Sequence, residues 1–258
     1  MRVALLLLLA LAVPDAGEIP DASAIAAAPK TEQAVRAEQV VVIANAIARM
    51  QQASSALKDF TATFHSQEYK SELLPAELVS MKYRAAPQSV YFKWIGVNKG
   101  LEVLWKRGWN GDQLRAHSGS FPSFTVNLKP DSWLAMRSTR HPINQAGFDF
   151  TIPMFARDLV TCREKPQCAR KAVDEGERLL YGVRTHCYFF ETDKDGCPEV
   201  YGYRARLCLN EALSLPNKVE VWDKVDGEVR LVEDYGYEDI RVDVGLTDSD
   251  FDPERYGF

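Results

Sequence analysis

Leu78-Val79-Ser80-Met81-Lys82-Tyr83-Arg84-Ala85-Ala86-Pro87-Gln88-Ser89-Val90-Tyr91-Phe92-Lys93-Trp94 reads as strand, turn, strand. Val79, Met81 and Tyr83 fall on one face of a two-residue repeat, and Val90, Phe92 and Trp94 on one face of the next, with Ala85 to Gln88 as the turn. Alternation of this kind marks a sheet with one buried face, the habit of antiparallel architectures. The pattern continues on both sides. Upstream, Phe60, Ala62 and Phe64 alternate with Thr61, Thr63 and His65; downstream, Leu101, Val103 and Trp105 alternate with Glu102 and Lys106. Asn110-Gly111 signals a tight hairpin into a strand from Gln113 to Ser118. Short strands at this spacing predict an antiparallel meander.

Before the strands, Thr31 to Leu57 contains no Gly or Pro and reads as one long helix, with Thr31 as N-cap and a stripe of Val35, Val42, Ile43, Ala46, Ile47 and Met50. The middle breaks the meander. Trp133 to Met136 suggests a helical turn, and Phe148 to Cys162 has helical spacing interrupted by Pro153. Strands resume at Glu177. Tyr181–Thr192 and Val200–Leu209 flank a turn at Asp193 to Cys197, and Asn217–Trp222 and Glu228–Tyr237 flank Asp226-Gly227. The end, from Val244 to Phe258, should wrap the surface. These elements predict an α+β, mainly β fold: an unclosed antiparallel barrel of about ten strands, its concave face covered by the first helix and the helical middle segment.

All five cysteines lie between Cys162 and Cys208. If a hairpin centres near Cys197, Cys187 stands opposite Cys208, close enough for a disulfide. The same register sets Tyr188 against Leu207, Phe190 against Ala205 and His186 against Leu209. Proximity pairs Cys162 with Cys168 and leaves Cys197 free.

The chain opens Met1-Arg2 and runs through apolar Val3 to Val13 into small residues, the pattern of a cleavable signal peptide over residues 1–17. Cleavage after Ala12 or after Ala16 fits equally. Residues 18–30 read as a disordered Ala/Pro/Asp spacer, and 31–258 as one domain. A periplasmic or otherwise exported location suits the disulfides. Net charge of -5 without a basic patch argues against nucleic acid as partner. Histidines 65, 117, 141 and 186 are scattered without metal-ligand spacing, and no nucleophile, zinc-protease or phosphate-binding motif occurs, so no cofactor, metal or catalytic residue is expected. Arg140-His141-Pro142 is the only site-like histidine. Asp248, Asp250 and Asp252 alternate but lack the rest of a calcium loop, and read as a solvated tail.

Five Trp, twelve Phe and ten Tyr form an aromatic surplus. They either pack as core or line a cavity that two helical segments cannot fill.

Lys82 to Trp94, Glu102 to Trp105 and Trp109-Asn110-Gly111, after a helix and a strand pair, resemble the LolA/LolB superfamily of periplasmic lipoprotein carriers. Leu209 to Pro216, Val219 to Trp222 and Asp243 to Pro253 are similar to an uncharacterised LolA-like exported family. The resemblance implies an unclosed barrel with a helical lid over an apolar concavity. It also implies a ligand such as a lipid or lipidated protein, and a gating role for Arg84 ahead of Pro87. Candidate liners are Met81, Tyr83, Phe92, Trp94, Val103, Trp105, Tyr188, Phe190 and Leu207. The expected function is that of a monomeric, non-enzymatic carrier. The alternatives are a sensor module that binds an envelope membrane protein, and an enzyme using His141 with Arg137 and Arg140.

Overall fold

The computed structural model describes residues 32–258, with side chains from residue 38 onward. The expected signal peptide, spacer, Thr31 cap and Val35 side chain lie outside the described residues. Helix α1 (Glu32–Ala56) precedes six strands: β1 (Asp59–Glu68), β2 (Glu77–Arg84), β3 (Ser89–Trp94), β4 (Glu102–Lys106), β5 (Leu114–His117) and β6 (Thr125–Leu128). Helix α2 (Phe148–Glu164) divides these from β7 (Ala169–Leu180), β8 (Val183–Thr192), β9 (Arg204–Asn210), β10 (Leu215–Val225) and β11 (Glu228–Val242). A short helix α3 (Pro253–Tyr256) ends the chain.

All eleven strands form one antiparallel sheet in the order β6-β5-β4-β3-β2-β1-β11-β10-β9-β8-β7. Strands β6 and β7 are its two edges and do not pair with each other, so the barrel is unclosed, the architecture expected. Each half is a meander, and the β1–β11 pair joins the halves.

Period-two alternation sorts the side chains. Phe60, Met81 and Tyr83 turn to the concave side with Val90, Phe92, Val103 and Trp105, and on the other half Tyr188, Phe190, Leu207, Val219 and Val221 do the same. Helices α1 and α2 bury their apolar stripes against this face. In α1 the stripe is Ile43, Ala46, Ile47 and Met50, all nearly inaccessible; Val42 is exposed, outside it. In α2 it is Phe148, Ile152 and Phe155. The helix continues through Pro153 rather than breaking there. Asp149 in its first turn ties three elements together: it accepts from Tyr83 Oη at 2.6 Å and from Ser54 Oγ at 3.0 Å. Gly147, just before the helix, has φ +100°, and a Cβ there would sit 2.7 Å from Tyr83 Cε2. Only glycine permits so close an approach.

The convex face has its own small core. Phe251, Leu246, Tyr256 and Phe258 of the C-terminal segment pack on Tyr91, Leu104 and Trp109. The tail's carboxylates are not simply solvated. Asp250 pairs with Lys82 at 3.0 Å, Asp248 with Arg84 at 2.8 Å, and Asp252 caps α3.

Several sequence readings are corrected here. Asn110-Gly111 lies in a 3-10 turn within a seven-residue connection rather than in a two-residue hairpin. Strand β6 had no reading, and β7 starts eight residues before Glu177 and turns at Tyr181-Gly182, both with positive φ. The register places Cys187 opposite Cys208, and a disulfide joins them. The Cys162–Cys168 bridge does not form: Cys168 pairs with Cys197, their Cα atoms 5.8 Å apart, and Cys162 is the free thiol. Cys162 is held on α2, whereas Cys168 lies beyond it in a 3-10 turn. There the Cys168 carbonyl accepts from Asp193 N at 2.8 Å and so meets the β8–β9 turn that bears Cys197.

Candidate functional site

A cavity of about 80 Å³ lies between the sheet and its cover. Phe64, Met81 and Phe92 wall it on one half of the sheet, Val219, Tyr235 and Tyr237 on the other, and Ile143, Phe150 and Met154 close it from above. The upper wall belongs to the segment from β6 to α2, which makes no ladder with the sheet. The volume holds a few water molecules or a short piece of hydrocarbon, not a whole acyl chain.

All nine expected liners face the concavity or pack into its core, yet only Met81 and Phe92 border this cavity. Trp105, Tyr188, Phe190 and Leu207 are buried in the core away from it. Arg84 is not at the cavity. It alternates with Tyr83, so it projects from the convex face, where it pairs with Asp248 and stacks over Phe251 at 5.0 Å. One residue of a two-residue repeat separates the two faces.

The cavity's polar end is a buried ionic cluster. Glu68 on β1 and Glu233 on β11 stand directly opposite each other on the concave face. Glu233 is 1% exposed. Three donors converge on its Oε1: Arg140 Nε at 2.8 Å, Tyr201 Oη at 2.5 Å and His141 Nε2 at 3.2 Å. Glu68 accepts from Tyr235 Oη at 2.6 Å and from the backbone N–H of Arg140. Arg140 also donates to the Tyr69 carbonyl at 3.1 Å, and His141 Nδ1 meets Gln145 Oε1 at 3.2 Å. Two carboxylates would repel in such surroundings; Arg140 and His141 from the covering segment set positive charge against them.

Burial opposes the His141 imidazolium, but the Glu233 carboxylate outweighs it and lifts the His141 pKa above the histidine norm. Burial likewise opposes charge on Glu233, and the hydrogen bonds and charge of His141, with Tyr201 and Arg140, hold its carboxyl below the usual range. Glu68 moves the other way: burial raises it, and its hydrogen bonds from Tyr235 and Arg140 offset this only in part. The cluster therefore clamps the covering segment to the sheet with Glu233 ionised and His141 protonated. His141 stood out in the sequence through its Arg-His-Pro setting. Glu68, Glu233 and Tyr201 did not, because no local pattern connects residues this far apart. Among the described residues no group of three or more His, Cys, Asp or Glu side chains could hold a metal ion.

The sequence profile of a family described as "Protein of unknown function (DUF1571)" matches residues 57–258. No curated protein matches the chain. Among solved structures, a DUF1329 family protein from Desulfovibrio piger is 14% identical, over 84% of this chain and 99% of that one, with a TM-score of 0.40. The Mycobacterium tuberculosis lipoprotein LppX is 9% identical, over 80% and 98%, with a TM-score of 0.47. A chain of the Pseudomonas aeruginosa MucA/MucB complex is 12% identical, over 81% and 60%, with a TM-score of 0.46. Likeness at this distance names no ligand.

Proposed function

The chain belongs to the DUF1571 family of proteins of unknown function, and we propose from its own geometry that it is an exported carrier for an acyl chain, borne by a lipid or a lipidated envelope component. One observation carries the reading: the apolar cavity is closed on one side by a segment held to the sheet through side chains rather than a backbone ladder. Such a cover can lift without costing the sheet a strand. Lifting it joins the cavity to the rest of the oily concave face. Two disulfides are consistent with an oxidising, exported setting. No helix of the described residues is long and apolar enough to cross a membrane.

The energies are compatible. Breaking a buried charge cluster costs about 3–5 kcal/mol. Burying acyl methylenes returns about 0.8 kcal/mol each, so roughly ten of them exceed the cost of opening. The closed form is then the empty state, and a guest selects the open one.

Native mass spectrometry of protein purified without detergent, with titration of a fluorescent C18 fatty acid, tests this. An acyl-sized adduct or saturable uptake is expected. No adduct and no uptake, both in the wild type and in a Glu233→Gln variant with its cover loosened, would overturn it.

A further inference from the structure

Strand direction sorts the loops of the β1–β6 half into two ends. The β1–β2, β3–β4 and β5–β6 loops share the end where β1 and β3 finish. Their tips carry the large exposed apolar side chains of this half: Leu73, then Ile95 and Val97, then Phe121 and Phe124, with Phe121 99% exposed. At the opposite end of the same half, the turns Ala85 to Gln88 and Arg107 to Gln113 expose no large apolar side chain. Trp133, 78% exposed, lies three residues before Met136, whose carbonyl, with that of Thr139, accepts from Lys70 of the β1–β2 loop.

These side chains are not merely uncovered by loose loops. The β3–β4 and β5–β6 loops meet backbone to backbone at Gly100 and Gly119, where a Cβ on Gly119 would sit 2.1 Å from the Gly100 carbonyl carbon. The loops support each other through their main chains and leave the side chains at their tips free. Large exposed apolar patches on a folded chain mark interaction surfaces.

The charge on these loops selects the partner. Lys70, Lys99 and Arg137 lie among the apolar tips, and none of the three has a carboxylate partner among the described residues. Lys70, Lys99 and Arg137 outnumber Glu72 and Glu77 at this end, and a positive balance around a cluster of Phe, Trp, Val, Ile and Leu, in a chain of net charge -5, fits the interface of a bilayer with anionic headgroups. The position also serves the cavity. The β3–β4 loop begins where Trp94 ends β3, two residues from Phe92 in the cavity wall.

We propose that the tips of these three hairpin loops, with Trp133, dock the protein on an anionic lipid bilayer, cavity end toward the membrane. The purpose of docking rests on the carrier reading; the docking itself is measurable alone.

The test is co-sedimentation with vesicles of phosphatidylethanolamine and phosphatidylglycerol at 3:1, against pure phosphatidylcholine. Wild type should bind the anionic vesicles more tightly. Phe121→Ser with Phe124→Ser, and separately Ile95→Ser with Val97→Ser, should each weaken binding about tenfold. Leu179→Ser, at an exposed site on the β7–β8 hairpin, should not change it. All variants should keep the wild-type Tm and take up free fluorescent fatty acid from solution. Wild type that ignores the vesicles overturns the proposal, including the case where it self-associates through these loops instead. So does binding that survives both double substitutions. Vesicle binding without fatty-acid uptake leaves the docking standing and removes the carrier reading; uptake without vesicle binding does the reverse.

Discussion

Replacing Glu233 by glutamine removes one charge and almost no volume from the centre of the cluster. The magnitude follows from what is left behind. Arg140 and His141 lose a carboxylate at 2.8 and 3.2 Å, and Tyr201 exchanges a charged acceptor for a neutral amide oxygen. Breaking a fully buried pair costs about 3–5 kcal/mol. That figure is reduced here: Arg140 keeps the Tyr69 carbonyl and is 28% exposed at its side chain, and His141 can release its proton. About 2–3 kcal/mol remains, equivalent to a rise of roughly 30- to 150-fold in the open population. The cost should fall on the covering segment alone, because Glu233 keeps its place in β11 and the ladder is untouched. Hydrogen exchange followed by mass spectrometry should therefore show residues 139–147 and the start of α2 exchanging faster, with β8 to β10 unchanged. Equal acceleration in β8 to β10 would mean that cover and sheet open as one unit. No acceleration anywhere would mean that the cluster holds nothing. Either result refutes the reasoning.

Other outcomes follow from the same structure. The folded-state pKa of His141 is raised, so its contribution is present at mildly acidic pH and lost as pH rises through that value; that of Glu233 is lowered, so its contribution is lost as pH falls through it. The Tm difference between wild type and His141→Gln should thus shrink on going alkaline, and a constant difference would contradict the ion pair. Gly147→Ala forces a Cβ against the Tyr83 ring at positive φ. It should cost about 1–3 kcal/mol in urea denaturation, with no loss refuting the close approach. Phe251→Ala should cost about 2–4 kcal/mol, since this fully buried ring anchors the C-terminal segment. Alkylation of the denatured, unreduced chain should label Cys162 alone, and a Cys162–Cys168 linked peptide would contradict the pairing.

The sheet was legible because alternation is local. Knowing that Val79, Met81 and Tyr83 share a face was enough to place Phe92 and Trp94 beside them, and one hairpin centre near Cys197 set the β8–β9 register residue by residue. Turns were less legible where the residue type gave no warning. Tyr181 takes positive φ without being a turn former, so the reading placed it in the strand to Thr192 and missed the turn there, and β6 is too short at four residues for its alternation to stand out. The candidate site was the least visible. Its cavity exists only because β1, β11 and the segment before α2 converge, and its buried pair, Glu68 and Glu233, is 165 positions apart in the chain. Arg84 shows how narrow the margin is: the strand was right, and the side chain lay on its other side.

Because β6 and β7 never bond to each other, no hydrogen-bonded circumference fixes the girth of this protein. Its bore is set by the two helices packed across the concave face. On the carrier reading proposed above, a guest would be admitted by outward movement of those helices while every rung between neighbouring strands stays intact, so bulkier tails would not demand a larger scaffold.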